Sequence, residues 1–215
     1  MELLKSLTPL QVCEVTQDLV PEVGHIYIIP PGFDVVLQSG KFTLETRSDR
    51  GVHYPIDKFM LSIAEEKGEQ SVGIILSGTG SDGSLGLQAI KSAGGVSFVQ
   101  SEATAIFGEM PLNAIQNSYV DFVLSPEQIG QELIQIVEHT LARNHQNLPM
   151  QGPYPFESIA YQQLVRMMQE KLSIDLNAYK STTVHRRIMR RLLVLHMESL
   201  ESYLNYIRDN PESPS

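Results

Sequence analysis

Val72-Gly-Ile-Ile-Leu-Ser-Gly-Thr-Gly-Ser-Asp-Gly-Ser-Leu-Gly-Leu-Gln-Ala-Ile-Lys-Ser-Ala-Gly-Gly-Val-Ser-Phe-Val99 sets two short apolar runs on either side of a glycine-rich turn and a helix-length segment. Val72 to Leu76 is apolar throughout, the pattern of a strand buried on both faces. It breaks at Ser77-Gly-Thr-Gly-Ser-Asp-Gly. Leu85 to Ala93 then reads as a helix stopped by Gly94-Gly95, and Val96 to Val99 is a second buried strand. Strand, crossover helix and strand in this order predict a parallel pair.

The same alternation continues outward. Downstream, Pro111 to Gln116 opens a helix, Val120 to Leu124 is a third strand, and Pro126 to Ala142 is a long amphipathic helix. Upstream, Gly24-His-Ile-Tyr-Ile-Ile-Pro-Pro-Gly is a short strand halted by its breaker. Val35-Val-Leu and Lys41-Phe-Thr-Leu-Glu-Thr form a hairpin across Ser39-Gly40. Ile56 to Glu66 places Ile56, Phe59, Met60 and Ile63 at helical spacing. The predicted class is α/β: a doubly wound, mostly parallel sheet with flanking helices, followed by a small all-α segment.

Composition narrows the function. With 215 residues, 42% hydrophobic and 19% charged, the chain can bury a core and is not disordered. Lys+Arg 16 against Asp+Glu 25 gives −9, which argues against a general nucleic-acid binder. The single cysteine, Cys13, excludes a disulfide framework or a multi-cysteine metal site, and no metal is expected. No apolar run approaches the roughly 20 residues of a membrane span, and Met1-Glu-Leu-Leu-Lys-Ser lacks the layout of a secretion signal. A soluble cytoplasmic protein with no membrane insertion is the expectation.

The charge is uneven. Residues 1–154 hold 8 basic against 18 acidic side chains (−10), and residues 155–215 hold 8 against 7 (+1). The change falls beside a polar stretch with three prolines, so the expected layout is a first domain over 1–142, a linker over 143–154 and a second domain over 155–215.

The glycine loop admits three readings. Gly78-x-Gly80-x-x-Gly83 between a strand and a helix fits a dinucleotide-binding fingerprint, with Glu102 near the end of the next strand. Asp82 counts against it, since a carboxylate there repels the phosphate that a helix N-terminus attracts. The plain alternative is a tight turn in which Asp82 caps its helix. A third reading places an ionised carboxylate beyond the carboxyl ends of the strands, where it orients a histidine as in a Ser-His-Asp system.

Four stretches together carry a family likeness: Gly24-His-Ile-Tyr-Ile-Ile-Pro-Pro-Gly, Val72-Gly-Ile-Ile-Leu-Ser-Gly-Thr-Gly-Ser-Asp-Gly, Gln100-Ser-Glu-Ala-Thr-Ala, and Phe107-Gly-Glu-Met-Pro-Leu-Asn-Ala-Ile. Over roughly residues 1–140 the chain resembles the CheB-type chemotaxis methylesterases. Tyr54-Pro-Ile-Asp matches a further family motif, with Pro55 and Asp57 in place. The resemblance implies a doubly wound sheet and a Ser-His-Asp triad that removes methyl groups from glutamate esters on the cytoplasmic region of chemoreceptors. It puts Asp82 at the catalytic aspartate and Thr79 where a backbone amide serves the oxyanion hole. The family's serine and histidine lie upstream of the matched residues, so the domain is expected to be N-terminally truncated. No Gly-x-Ser-x-Gly elbow replaces them. His25 and His53 match no catalytic position, and turn chemistry accounts for Ser77.

From Phe156 onward the chain reads as helix, with Phe156, Ile159, Leu164, Met167 and Met168 approximating a stripe. Arg186-Arg187 and Arg190-Arg191 recur at i, i+4 between apolar Ile188 and Leu192, either as a solvated face or as a binding surface. Tyr-Lys followed by Arg-Arg-Ile-x-Arg-Arg and Tyr203-Leu resembles the N-terminal helical domain of the CheR-type methyltransferases. That likeness implies recognition of an acidic receptor region by Arg186, Arg187, Arg190 and Arg191. S-adenosylmethionine would enter only with a further methyltransferase domain; no other cofactor is expected. The expected partners are a methylated receptor and a polypeptide supplying the serine and histidine. The alternative is a non-catalytic binding module on an esterase scaffold.

Overall fold

The computed structural model describes residues 2–47, 51–116, 120–145, 159–172 and 178–210. In chain order the elements are α1 (Glu2–Lys5), β1 (Gln11–Glu14), β2 (His25–Ile28), β3 (Phe33–Gln38), β4 (Lys41–Thr46), α2 (Pro55–Lys67), β5 (Val72–Ile75), α3 (Ser84–Ser92), β6 (Val96–Gln100), α4 (Glu109–Gln116), β7 (Phe122–Leu124), α5 (Pro126–His145), α6 (Ile159–Leu172), α7 (Ser181–Val194) and α8 (Leu200–Asp209). They divide into two units, one up to Pro126 and one from Glu127.

In the first unit β5, β6 and β7 form a parallel sheet in that order, with Val72 opposite Val96 and Phe98 opposite Phe122. The α/β architecture and the parallel sheet are as expected. β6 is central, and all five of its residues are buried. Its polar members are satisfied. Ser97 donates through N–H and Oγ to Asp121 Oδ2 at 3.0 and 2.8 Å. Gln100 accepts from Ser77 N–H and donates to the Thr104 carbonyl.

β5 departs from the expectation. Gly73 and Ile75 are buried on one face, but Val72 is 41% exposed and Leu76 49%. Among the described residues β5 pairs with β6 alone, so it is an edge strand. An apolar run is buried on both faces only where packed layers cover both faces of the sheet.

The β3–β4 hairpin closes at Ser39 and Gly40, both at positive φ (51° and 75°), the backbone that a two-residue hairpin turn requires. Their N–H groups donate to the Glu66 carboxylate at 2.6 and 3.2 Å. α2 begins with Pro55, which has no N–H to leave unpaired. One face of α2 packs Phe59 and Ile63 on Val35, Leu37 and Phe42 of the hairpin, and another packs Ile56 and Met60 on Ile75, Leu87 and Val99. α2 thereby joins two apolar clusters. Asp34, on the hairpin, meets Arg47 Nε at 2.7 Å and Lys58 Nζ at 3.2 Å. Burial works to raise its proton affinity, but hydrogen bonds and charges from Arg47 and Lys58 outweigh burial and hold the carboxyl below its ordinary range.

The second unit is helical. Its core is Ala160, Tyr161 and Leu164 of α6, Val184, Ile188 and Leu192 of α7, and Leu200, Tyr203 and Leu204 of α8. Counted from Leu164, Ile188 and Leu200, spacings of three and four place each trio on one helix face. Ile159 is 75% exposed and lies outside this core, so Ala160 and Tyr161 supply the stripe in its place. Phe156 lies outside the described residues. α5 runs through Arg143, Asn144 and His145, so the first three residues of the expected linker are helical; residues 146–154 lie outside the described residues. Glu132 of α5 pairs with His196, in the turn after α7, at 2.7 Å. Ser199 and Ser202 form a reciprocal capping box on α8.

Candidate functional site

The loop from Ser77 to Gly83 leaves the carboxyl end of β5 and is held from several sides. Ser77 Oγ accepts from Phe107 N–H at 2.9 Å, which explains this serine without nucleophilicity. Gly78 N–H donates to the Phe107 carbonyl at 2.9 Å, and Met110 N–H donates to the Gly78 carbonyl at 3.1 Å. A Cβ at Gly78 would lie 2.3 Å from Met110 Sδ, and one at Gly83 would lie 2.3 Å from Ile75 Cδ1. Gly80 N–H donates to Glu109 Oε2 at 2.9 Å, and Asn113 Nδ2 donates to the Gly80 carbonyl at 2.8 Å. Thr79 is exposed, and its N–H has no acceptor among the described residues.

Asp82 does not cap α3, the helix it precedes. Its carboxylate accepts from Ile56 N–H (Oδ2, 3.0 Å) and Asp57 N–H (Oδ1, 2.9 Å), the free donors at the start of α2. Asp57, in the first turn of α2, returns the contact: its Oδ1 accepts from Gly86 N–H of α3 at 2.7 Å. The two aspartates thus cap each other's helices. Gly86 makes the close approach possible, since a Cβ there would lie 2.5 Å from Met60 Cβ. Burial, with the Asp82 charge as a further contribution, raises the proton affinity of Asp57 against the pull of hydrogen bonds from Gly86, Gly83 and Leu85 N–H.

This geometry removes the dinucleotide reading. The N–H groups that would meet a pyrophosphate are already given to the Phe107 carbonyl, Glu109 and Asp57. Glu102 lies in a short exposed turn after β6. Among the described residues no cluster of three His, Cys, Asp or Glu could hold a metal.

The arginines of α7 do not form one uniform face. Arg187 is exposed, Arg190 is partly buried and has a partner, and Arg191 bonds to Tyr203. The Arg186 side chain lies outside the described residues. Burial raises the proton affinity of Tyr203, while the hydrogen bond and charge of Arg191 oppose that rise. Sequence reasoning missed Gln100, Glu109 and Asn113 as loop-holding residues. The i, i+4 spacing of the last two on one helix was the available signal.

A family model for the CheB methylesterase matches residues 1–133. The chain belongs to the CheB methylesterase family. A second model, for the all-alpha domain of the CheR methyltransferase, matches residues 159–213. The methylesterase unit is 34% identical over 140 residues to protein-glutamate methylesterase/protein-glutamine glutaminase 3 of Geobacter sulfurreducens, covering 62% of this chain and 38% of that protein. An uncharacterized 104.1 kDa protein of Rhodobacter capsulatus is 29% identical over 225 residues, covering 95% of this chain and 23% of that protein. The chain therefore spans less than half of either relative. Among solved structures, the CheB methylesterase catalytic domain of Thermotoga maritima matches with a TM-score of 0.59 at 29% identity, covering 63% of this chain and 74% of that one. Among the described residues no helix is long and apolar enough to cross a membrane.

Proposed function

We propose that the CheB unit supplies the orienting carboxylate and one oxyanion donor of a Ser-His-Asp ester hydrolase acting on glutamate γ-methyl esters of chemoreceptors. The observation that carries this reading is the Asp82 carboxylate, held by two backbone N–H groups three residues from the Thr79 N–H, which has no acceptor among the described residues. A carboxylate fixed in this way is the third member of a Ser-His-Asp system, the group that orients the imidazole and stabilises its cation.

In the complete site the serine oxygen attacks the ester carbonyl while the histidine takes its proton. The Thr79 N–H stabilises the tetrahedral oxyanion, and the histidine returns the proton to the departing methoxide, releasing methanol. Water then cleaves the acyl-serine and leaves a glutamate carboxylate. The name of the Geobacter relative supports the same acyl chemistry on glutamine, with ammonia as the leaving group. The serine and histidine come from a polypeptide segment outside these 215 residues. The CheR-type helices dock the receptor's acidic region, with Arg187 exposed among the described arginine side chains.

The test is methanol release from a methylated receptor fragment. The 215 residues alone give none. Mixed with the serine- and histidine-bearing segment of a methylesterase relative, they restore turnover, and Asp82→Ala abolishes it. Turnover by the 215 residues alone, or none after mixing, overturns the reading.

A further inference from the structure

We propose that Glu109 and Asn113 are positioning residues that, through the Gly80 peptide groups, fix the direction of the Thr79 N–H. This rests on Thr79 as the oxyanion donor, and it adds a device that holds that donor ready. Peptide geometry sets that direction. Among the described residues no peptide bond is cis, so the carbonyl of Gly78 and the N–H of Thr79 point in opposite directions across one plane. The Gly78 carbonyl is tied to Met110 N–H, at the start of α4. The Thr79 N–H therefore points away from α4, to the open side of the loop.

That plane is steady only if the next peptides are held as well, because Gly80 sits at φ +87° with nothing within 4 Å of where its Cβ would be. Side-chain packing cannot restrain it. Its N–H and its carbonyl are each held by one α4 side chain, Glu109 at 2.9 Å and Asn113 at 2.8 Å. One turn of α4 thus supplies three anchors to three successive peptide groups around Thr79. The carboxylate of Glu109 accepts on the α4 side, so its charge lies on the opposite side of the loop from the site of oxyanion growth. An oxyanion donor helps only when it is already oriented at the moment of reaction.

The test uses the full chain labelled with nitrogen-15, reading the backbone order parameter of Thr79. Wild type gives a rigid value of about 0.85, and Glu109→Ala or Asn113→Asp lowers it below about 0.6. Asn113→Asp is nearly isosteric but offers an acceptor where the Gly80 carbonyl needs a donor. Glu109→Gln keeps the acceptor and retains the rigid value. Unchanged amides at Leu87 and Val99 show that the fold is intact. A mobile Thr79 in wild type, or a rigid one in both disruptive variants, overturns the proposal. In the reconstituted esterase Asn113→Asp lowers kcat about tenfold with KM unchanged; a fall in neither, or in KM alone, also overturns it. Absent turnover in reconstituted wild type defeats the esterase reading instead, while the relaxation data still decide the positioning role.

Discussion

Asp57 is the residue at which the cost of the site's arrangement is measurable. Its side chain is buried, it faces the Asp82 charge, and its proton affinity is raised. The folded protein therefore keeps a proton on Asp57 at pH values where the unfolded chain has lost it. Stability falls as pH rises from the ordinary aspartate value, about 3.9, through the raised folded value. Asp57→Asn removes this titration while keeping an oxygen for Gly86 N–H. Thermal midpoints of wild type and variant, compared across pH, should diverge in the variant's favour through that window. A constant difference between the two would assign the raised affinity elsewhere. Asp34 contributes the opposite slope in both proteins, because its proton affinity is lowered and its stabilisation is lost as pH falls.

At the scale of elements, two effects compete at the α2–α3 crossing. Gly86→Ala improves helix propensity by about 1 kcal/mol, but the added Cβ would lie 2.5 Å from Met60 Cβ, an atom next to the α2 backbone. Forcing the helices apart costs about 1–3 kcal/mol and pulls Asp57 and Asp82 from their donors, so the clash wins. A urea midpoint lower than wild type is expected; a higher one would mean that α2 shifts freely. From β2 onward the strands, hairpin and helices of this unit were legible in sequence because period and turn residues are local, whereas the four-residue α1 and β1 are too short to show a period. The Ser39-Gly40 turn and the Val72–Leu76 run announce themselves. The partners of Asp82 did not, because backbone N–H groups 25 and 26 residues away carry no side-chain signature. Nor could an apolar run report that β5 has a neighbour on one side only. On α7, arginine spacing gave the helix face but not the turn of Arg191 toward Tyr203, which depends on the packing of α8.

For the whole molecule, the apolar clusters decide how cooperatively it melts. Those around Val35 and Ile75 lie in the first unit and that around Leu192 in the second, with no buried residue shared. Calorimetry should resolve two transitions. Leu192→Ala, at a fully buried site, should lower one of them by a loss of about 2–5 kcal/mol and leave the other in place. A single transition displaced as a whole would mean that the units unfold together.

The exchanged caps of Asp57 and Asp82 also bear on the order of folding events. Neither helix can complete its first turn from its own neighbours in sequence, so a lone α2 or α3 frays at that end. Both ends are completed in one docking event that closes segments of 25 to 29 residues. The entropy of such closure grows only with the logarithm of length, which keeps the long reach inexpensive. The carboxylate proposed to orient the histidine is thus seated by the same docking event that builds the scaffold.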